Sequence, residues 1–216
     1  MKLTHLGHSA VLVEVADRRL LIDPGNFSDA WHGVTDLDAV LVTHLHPDHI
    51  DPEHVPALLQ ANPEAQVRVE PGVISTHHPA GAEPLRAEEE LRLGDVTVRA
   101  IGGEHAVIHR DIPMIGNIGL VISAPGEPTF FHPGDSLAAV PTGVDVVGVP
   151  AYGPWAAMKE TIDFARAVGA PKGFAIHDRL LNDRGFTMLH DRIAEMSPTA
   201  MVDLRDGSPY DPGDPA

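Results

Sequence analysis

The stretch Leu37-Asp-Ala-Val-Leu-Val-Thr43-His44-Leu45-His46-Pro47-Asp48-His49-Ile50 decides how this chain is read. Its first half is a continuous apolar run, the pattern of a strand buried on both faces. Its second half packs three imidazoles and a carboxylate into six residues. His44 and His46 stand two apart, so in extended backbone both rings leave the same face and can converge on one cation. Asp48 and His49 follow where the chain must turn. Asp51-Pro52-Glu53-His54 reads as an N-cap, a proline at the first helical position and the start of a short helix to about residue 60. The pair can then face a second ion. A solvated polar loop is the plain alternative, but this spacing directly after a buried strand favours metal ligation.

Composition narrows the class. A chain of 216 residues, 43% hydrophobic, is long enough for a substantial core. Its formal charge of −16, with only 15 Lys and Arg, argues against a nucleic-acid partner, which needs clustered cations to displace counterions. There is no cysteine, so thiolate ligands, disulfides and a Cys nucleophile are all excluded. The start, Met1-Lys-Leu-Thr-His5-Leu-Gly-His8-Ser-Ala-Val-Leu-Val-Glu14, interrupts its apolar residues with His5, His8 and Glu14. It reads neither as a secretory signal nor as a membrane span, and the expectation is a cytoplasmic protein with a small-molecule substrate and no membrane partner.

Strands and helices are expected to alternate in a layered α/β domain spanning 1–205, with a loose Pro-rich tail over 206–216. Residues 11–15 and 19–22 form a hairpin; 38–43, 67–69, 96–101, 118–123, 129–132, 145–149 and 172–176 are further strands; 155–168 and 186–196 are amphipathic helices. Three acid or imidazole residues follow strands. His105 comes after Ile101-Gly102-Gly103, Asp135 after the Pro133-Gly134 stop, and His177 after Ile176. Side chains at the ends of neighbouring strands point into one crevice, although each alone reads as a capped or solvated residue.

Together with Leu6-Gly-His8-Ser-Ala10, Leu21-Ile-Asp23-Pro24, Gly134-Asp135-Ser136 and Ile176-His177, the run at 44–49 resembles the metallo-β-lactamase superfamily over nearly the whole chain. The likeness is to its stand-alone small metal-dependent hydrolases, the branch that includes ascorbate-6-phosphate-lactonase-like enzymes. It implies a four-layer αββα sandwich of two mixed sheets with metals at one edge. Carried across residue by residue, it gives His44, His46 and His105 to a first ion, Asp48, His49 and His177 to a second, and Asp135 to both. It also implies that Asp23 supports a ligand imidazole, against a turn-forming role before Pro24. His8 and Asn117 are candidates for the substrate rim or for local backbone bonds, and Tyr152 and Trp155 for an aromatic wall. His109 and His132 lie near ligands in sequence; His5, His32, His54, His77, His78 and His190 read as structural or solvated.

The expected chemistry is hydrolysis of a small ester, lactone or phosphoester by a hydroxide shared between two divalent ions, with Asp48 orienting it. Imidazole and carboxylate suit Mn2+ and Fe2+ as well as Zn2+; the resemblance selects zinc. There is no Gly-x-Ser-x-Gly elbow and no phosphate-cradling Gly-rich loop. Two other classes stay open: a mononuclear iron enzyme of oxygen chemistry using His44, His46 or His105 and Asp135, and a metal-binding scaffold without turnover.

Overall fold

The computed structural model describes residues 1–213. The first sheet contains β1 (Lys2–His5), β2 (Val11–Val15), β3 (Arg18–Ile22), β4 (Ala39–Val42), β5 (Gln66–Val69) and β6 (Ala82–Pro84), hydrogen-bonded in that order. The second contains β7 (Glu90–Leu93), β8 (Val96–Gly102), β9 (Ile118–Ser123), β10 (Phe130–His132), β11 (Val146–Pro150), β12 (Lys172–Ile176) and β13 (Ala200–Val202), likewise in chain order. Each sheet starts as an antiparallel meander and ends in three parallel steps. Helices α1 (Val55–Ala61) and α2 (Pro71–His77) supply crossovers in the first sheet, α3 (Met158–Val168) and α4 (Asp183–Met196) in the second.

The burial pattern makes four layers. Leu3, Val13, Leu20 and Leu41 of the first sheet meet Val98, Leu120, Phe130 and Phe174 of the second in the central core. On the outer face of the first sheet, Leu21, Val40 and Val69 pack against Val55 and Leu58 of α1 and Val73 of α2. On the outer face of the second, Phe131, Val147 and Val149 meet Ile162, Ala165 and Val168 of α3 and Ile193 of α4. β4 therefore sends Ala39 and Leu41 inward and Val40 and Val42 outward. That is why its sequence is apolar without alternation.

The strands expected from sequence form to within a residue or two, with sharper differences at the helices. Asp51 does not cap α1. Its Oδ1 accepts from Glu53 N–H at 2.8 Å and His54 N–H at 3.4 Å, making a separate turn, and α1 begins at Val55 with Pro56 in its first turn. α3 begins at Met158 rather than 155, because Trp155 turns inward to bond Asp135. α2 was not expected: Gly72, Ser75 and Thr76 are weak helix formers, and Glu70, accepting from Gly72 N–H, with Pro71 starts it regardless.

The C-terminal segment also differs from expectation. Residues 214–216 lie outside the described residues, but 206–213 are tied to the body. Leu3 and Tyr210 exchange both backbone hydrogen bonds at 2.8 Å, Tyr210 packs on the central core, and Lys172 Nζ donates to Pro212 C=O at 2.7 Å. Backbone pairing needs no apolar neighbours, so proline content did not reveal it.

Candidate metal centre

The parallel steps aim one end of both sheets the same way, and the candidate residues leave the strands at that edge. His8 follows β1, Asp23 β3, His44 to His49 β4, His105 β8, Asp135 β10, Tyr152 and Trp155 β11, and His177 β12. Two groups of donor atoms form, each with all its atoms within 4.8 Å of one another: His44, His46, His105 and Asp135 in one, His8, Asp48, His49 and His177 in the other. Asp135 touches both. Its Oδ2 lies 3.4 Å from His105 Nε2 and 3.0 Å from His177 Nε2, and its Oδ1 lies 3.0 Å from His49 Nε2. The structure thus brings together all seven residues expected as ligands, with Asp135 between the groups.

Hydrogen bonds behind the rings fix which nitrogen faces inward. Thr43 Oγ1 donates to Asp23 Oδ2 at 2.7 Å, so at 3.0 Å it accepts from His44 Nδ1. Asp23 Oδ2 also accepts from His49 Nδ1 at 2.7 Å. The carbonyls of Ala106 and Tyr152 accept from Nδ1 of His105 and His177 respectively. Four imidazoles therefore keep a proton on Nδ1, which leaves Nε2 as the inward atom that an ion would meet once any proton on it is released. His46 presents Nδ1 instead, 3.1 Å from His44 Nε2.

The inward atoms lack partners. Nε2 of His49, His105 and His177 and Oδ1 of Asp135 are buried without a hydrogen bond among the described residues. Buried polar atoms are normally satisfied, and leaving one unpaired costs about 1–3 kcal/mol. Four converging at one place fit divalent cations, which imidazole and carboxylate donors bind directly.

The charge balance has the same shape. Burial pulls His177 down, yet the charge of Asp135, 3.0 Å from its Nε2, and the proximity of Asp48 at 3.4 Å outweigh it and lift the imidazole to about 9. His49 is likewise lifted well above its ordinary value, with Asp135 and Asp23 overcoming burial. Burial pushes Asp48 up, but the closeness of His177 and the bond from His8 hold it far below the carboxylate range. Burial also opposes ionisation of Asp135, and the His49 and His177 charges reverse this. His44 is held well below its ordinary value by burial and by the neighbouring His49.

His8 is more central than a rim residue. Its ring is buried, with centroid 4.1 Å from that of His177, and burial lowers its pKa to about 4. Its Nδ1 accepts from Arg179 N–H at 3.4 Å. The neutral ring then carries its proton on Nε2 and donates it to Asp48 Oδ2, 3.1 Å away. That leaves no inward lone pair, so His8 positions Asp48 rather than binding an ion. Asn117, the other rim candidate, is buried behind the centre. Its Oδ1 accepts from Asp135 N–H and its Nδ2 donates to Pro133 C=O, both at 2.9 Å, which clamps the turn carrying Asp135. Tyr152 contributes its carbonyl to His177, while its side chain is exposed. Trp155 Nε1 donates to Asp135 Oδ2 at 3.0 Å.

His8, Asp23 and His177 all have left-handed backbone, with φ of 54°, 48° and 55°. Such residues are held only where surrounding bonds over-determine them; here His177 N–H donates to His8 C=O at 2.8 Å and Asp23 Oδ1 accepts from Thr43 N–H at 2.8 Å. Of the spare histidines, His132 is buried and its Nε2 bonds to Ser9 C=O at 3.0 Å, whereas His109 is exposed beside Asp111.

Residues 2–172 match the family model described as a beta-lactamase superfamily domain. The chain belongs to the metallo-β-lactamase superfamily. It is 43% identical over 203 residues to Protein Rv0786c of Mycobacterium tuberculosis, covering 92% of this chain and 94% of that one. It is also 33% identical over 154 residues to a UPF0173 metal-dependent hydrolase of Xanthobacter autotrophicus, with 63% of this chain and 62% of the relative covered. Among solved structures, the metallo-β-lactamase-fold protein YhfI of Bacillus subtilis superposes with TM-score 0.71 at 16% identity, over 97% of this chain and 98% of that one. Among the described residues, no helix is long and apolar enough to cross a membrane.

Proposed function

We propose that this protein, a metal-dependent hydrolase by its family, cleaves a small uncharged ester or lactone at a binuclear centre. His44, His46 and His105 would hold one divalent ion, Asp48, His49 and His177 the other, and Asp135 both; zinc is the expected metal and Mn2+ or Fe2+ the alternatives. The observation that carries this reading is that Nε2 of His49, His105 and His177, buried and without a hydrogen bond among the described residues, all lie within 3.4 Å of the buried Asp135 carboxylate, where the two donor groups meet. Bound ions would supply a water deprotonated near neutral pH and Lewis-acid polarisation of the scissile group.

The protein's own groups do the rest. Asp48, aimed by His8, accepts a hydrogen bond from the attacking water and fixes its direction. Asp135 offsets the repulsion between two dications, and Trp155 holds its Oδ2 in place. The Nδ1 bonds to Asp23, Thr43, Ala106 and Tyr152 keep the rings in the tautomer that binds metal. A single-ion iron site on His44, His46 or His105 and Asp135 leaves His49 and His177 without a task, so the binuclear reading accounts for more of the centre.

The wall of the cleft supports the substrate class. Phe27, Ile108, Pro154, Trp155 and Leu180 surround His46, Asp48, Asp135 and His177, enclosing about 430 Å³, and no Lys or Arg is among the described residues lining it. Nearby cations stand elsewhere: Arg179 lines the adjoining cleft with His32 and His54. Lys172 begins β12, at the opposite end from His177, and Arg110 is exposed beside Asp111. An apolar wall without a cation favours a neutral substrate over a phosphorylated one.

The test is reconstitution of metal-stripped protein with Zn2+, Mn2+ or Fe2+, followed by turnover of aryl esters, aliphatic lactones and phosphodiesters with oxygen uptake recorded in parallel. Ester or lactone hydrolysis at two ions per chain is expected. Oxygen consumption with one iron would establish the competing chemistry, and full binding of two ions with no turnover of any class would leave a scaffold.

A further inference from the structure

Among the described residues, a further group of metal-binding side chains lies apart from the centre. Donor atoms of His32, Asp51 and His54 all fall within 4.8 Å of one another. His32 sits on the connection between β3 and β4, whereas Asp51 and His54 belong to the turn leading into α1. The fold therefore joins two segments that are separate in sequence. The two imidazoles stack with centroids 4.3 Å and planes 24° apart, and Asp51 Oδ2 lies 2.7 Å from His54 Nδ1. Asp51 is buried and both rings are exposed.

A purely structural role accounts for part of this. Asp51 Oδ1 ties its own turn and Oδ2 orients His54. Among the described residues the His32 ring is held by contacts with Trp31 and His54, and its backbone N–H donates to Asp29 C=O at 2.9 Å. Two imidazoles and one carboxylate within reach of a single point match a transition-metal donor set with positions left for water, and are a poor match for Mg2+ or Ca2+, which want oxygen. Asp29 and Glu53 line the same cleft of about 570 Å³ and add negative charge, while Arg179 lines it and opposes them.

We propose that His32, Asp51 and His54 form a separate, solvent-facing site for one divalent transition-metal ion. An ion there ties the β3–β4 connection to the turn before α1. Phe27, on that same connection, lines both this cleft and the one over the main centre, so occupancy fixes one wall of the substrate cleft.

The experiment is equilibrium dialysis of the full-length protein against Zn2+, comparing the parent with His32→Ala, His54→Ala, His54→Gln and His105→Ala. His54→Gln keeps a donor for Asp51 but is a poor ligand, so it separates ligation from support of the turn. The parent is expected to hold one equivalent more than each His32 and His54 variant, with a zinc-dependent rise in Tm that those variants lose in part. His105→Ala is expected to keep this extra equivalent while losing zinc from the main centre, so failure of the one site and failure of the other read separately. Equal zinc content in the parent and in folded His32→Ala and His54→Gln overturns the proposal.

Discussion

His8 Nε2 stands 3.1 Å from Asp48 Oδ2, joining residues 40 apart in the chain at the floor of the cleft. The bond sets the orientation of the carboxylate expected to direct the attacking water. Removing such a supporting partner from a metal site typically costs 10- to 100-fold in activity or affinity. His8→Ala should therefore lower kcat by about 10- to 100-fold while the ions on His44, His46 and His105 stay bound. Metal analysis beside steady-state kinetics checks it, and an unchanged kcat would show that Asp48 is aimed by something else.

Asp135 has contacts in both donor groups and takes a hydrogen bond from Trp155. Asp135→Asn removes the charge between two dications, so metal content should fall at both positions. Trp155→Phe removes only one bond to a charged acceptor, worth about 1.5–3 kcal/mol. It should retain both ions but release them more readily to a chelator. Should Asp135→Asn keep full metal content, the bridge has been assigned to the wrong residue.

The shifted pKa values give a pH dependence with a definite sign. In the metal-free protein His177 is lifted to about 9, so its stabilising contribution is complete below the ordinary histidine value of about 6.5 and fades as pH rises through 9. Asp48 and Asp135 are depressed. Their contribution is complete above the ordinary carboxylate value of about 4 and fades only as pH falls far below it. His8 and His44, held below the ordinary histidine value by burial, act in the opposite sense and cost stability as pH falls below about 6.5, so metal-free Tm should peak near about pH 6.5 and fall on either side. Metal uptake runs the other way, since an ion must displace the protons on His49 and His177. Chelator competition between pH 6 and 9 should show affinity rising with pH; a flat profile would mean these imidazoles do not bind the ion.

Much of the centre was legible because its chemistry is local. The residues at 44–49 are set by one strand and the turn after it, so spacing alone placed four donors. His105, Asp135 and His177 could be found because each follows a strand end. His8 was harder to place: its role depends on Arg179 N–H and Asp48, which the fold brings from far along the chain. Asn117 was open between the substrate rim and local backbone bonds, and the backbone groups it does bond, at 133 and 135, belong to another strand end. His32 and His54 carried no spacing signal at all. Short elements such as β6 and β13 escaped notice because they are stabilised by neighbours rather than by their own residues.

Asp23 offers the sharpest remaining test. It is fully buried, with φ of 48°, and accepts from Thr43 N–H at 2.8 Å, Thr43 Oγ1 at 2.7 Å and His49 Nδ1 at 2.7 Å. A carboxylate can accept all three, whereas an amide has one accepting oxygen and an NH2 group. In Asp23→Asn the backbone is tolerated, because Asn visits the left-handed region readily. The NH2 group then faces His49 Nδ1, which can accept only by moving its own proton to Nε2, the atom expected to hold the ion. Metal bound through His49 should be lost while that on His44, His46 and His105 remains, with a stability cost of about 1–3 kcal/mol from the mismatched donors. Asp23→Ala, which strips a buried network of its charge, should cost about 3–5 kcal/mol. Metal stoichiometry and chemical denaturation of both variants decide the matter. If Asp23→Asn binds both ions with parental affinity, the tautomer of His49 is not set by Asp23.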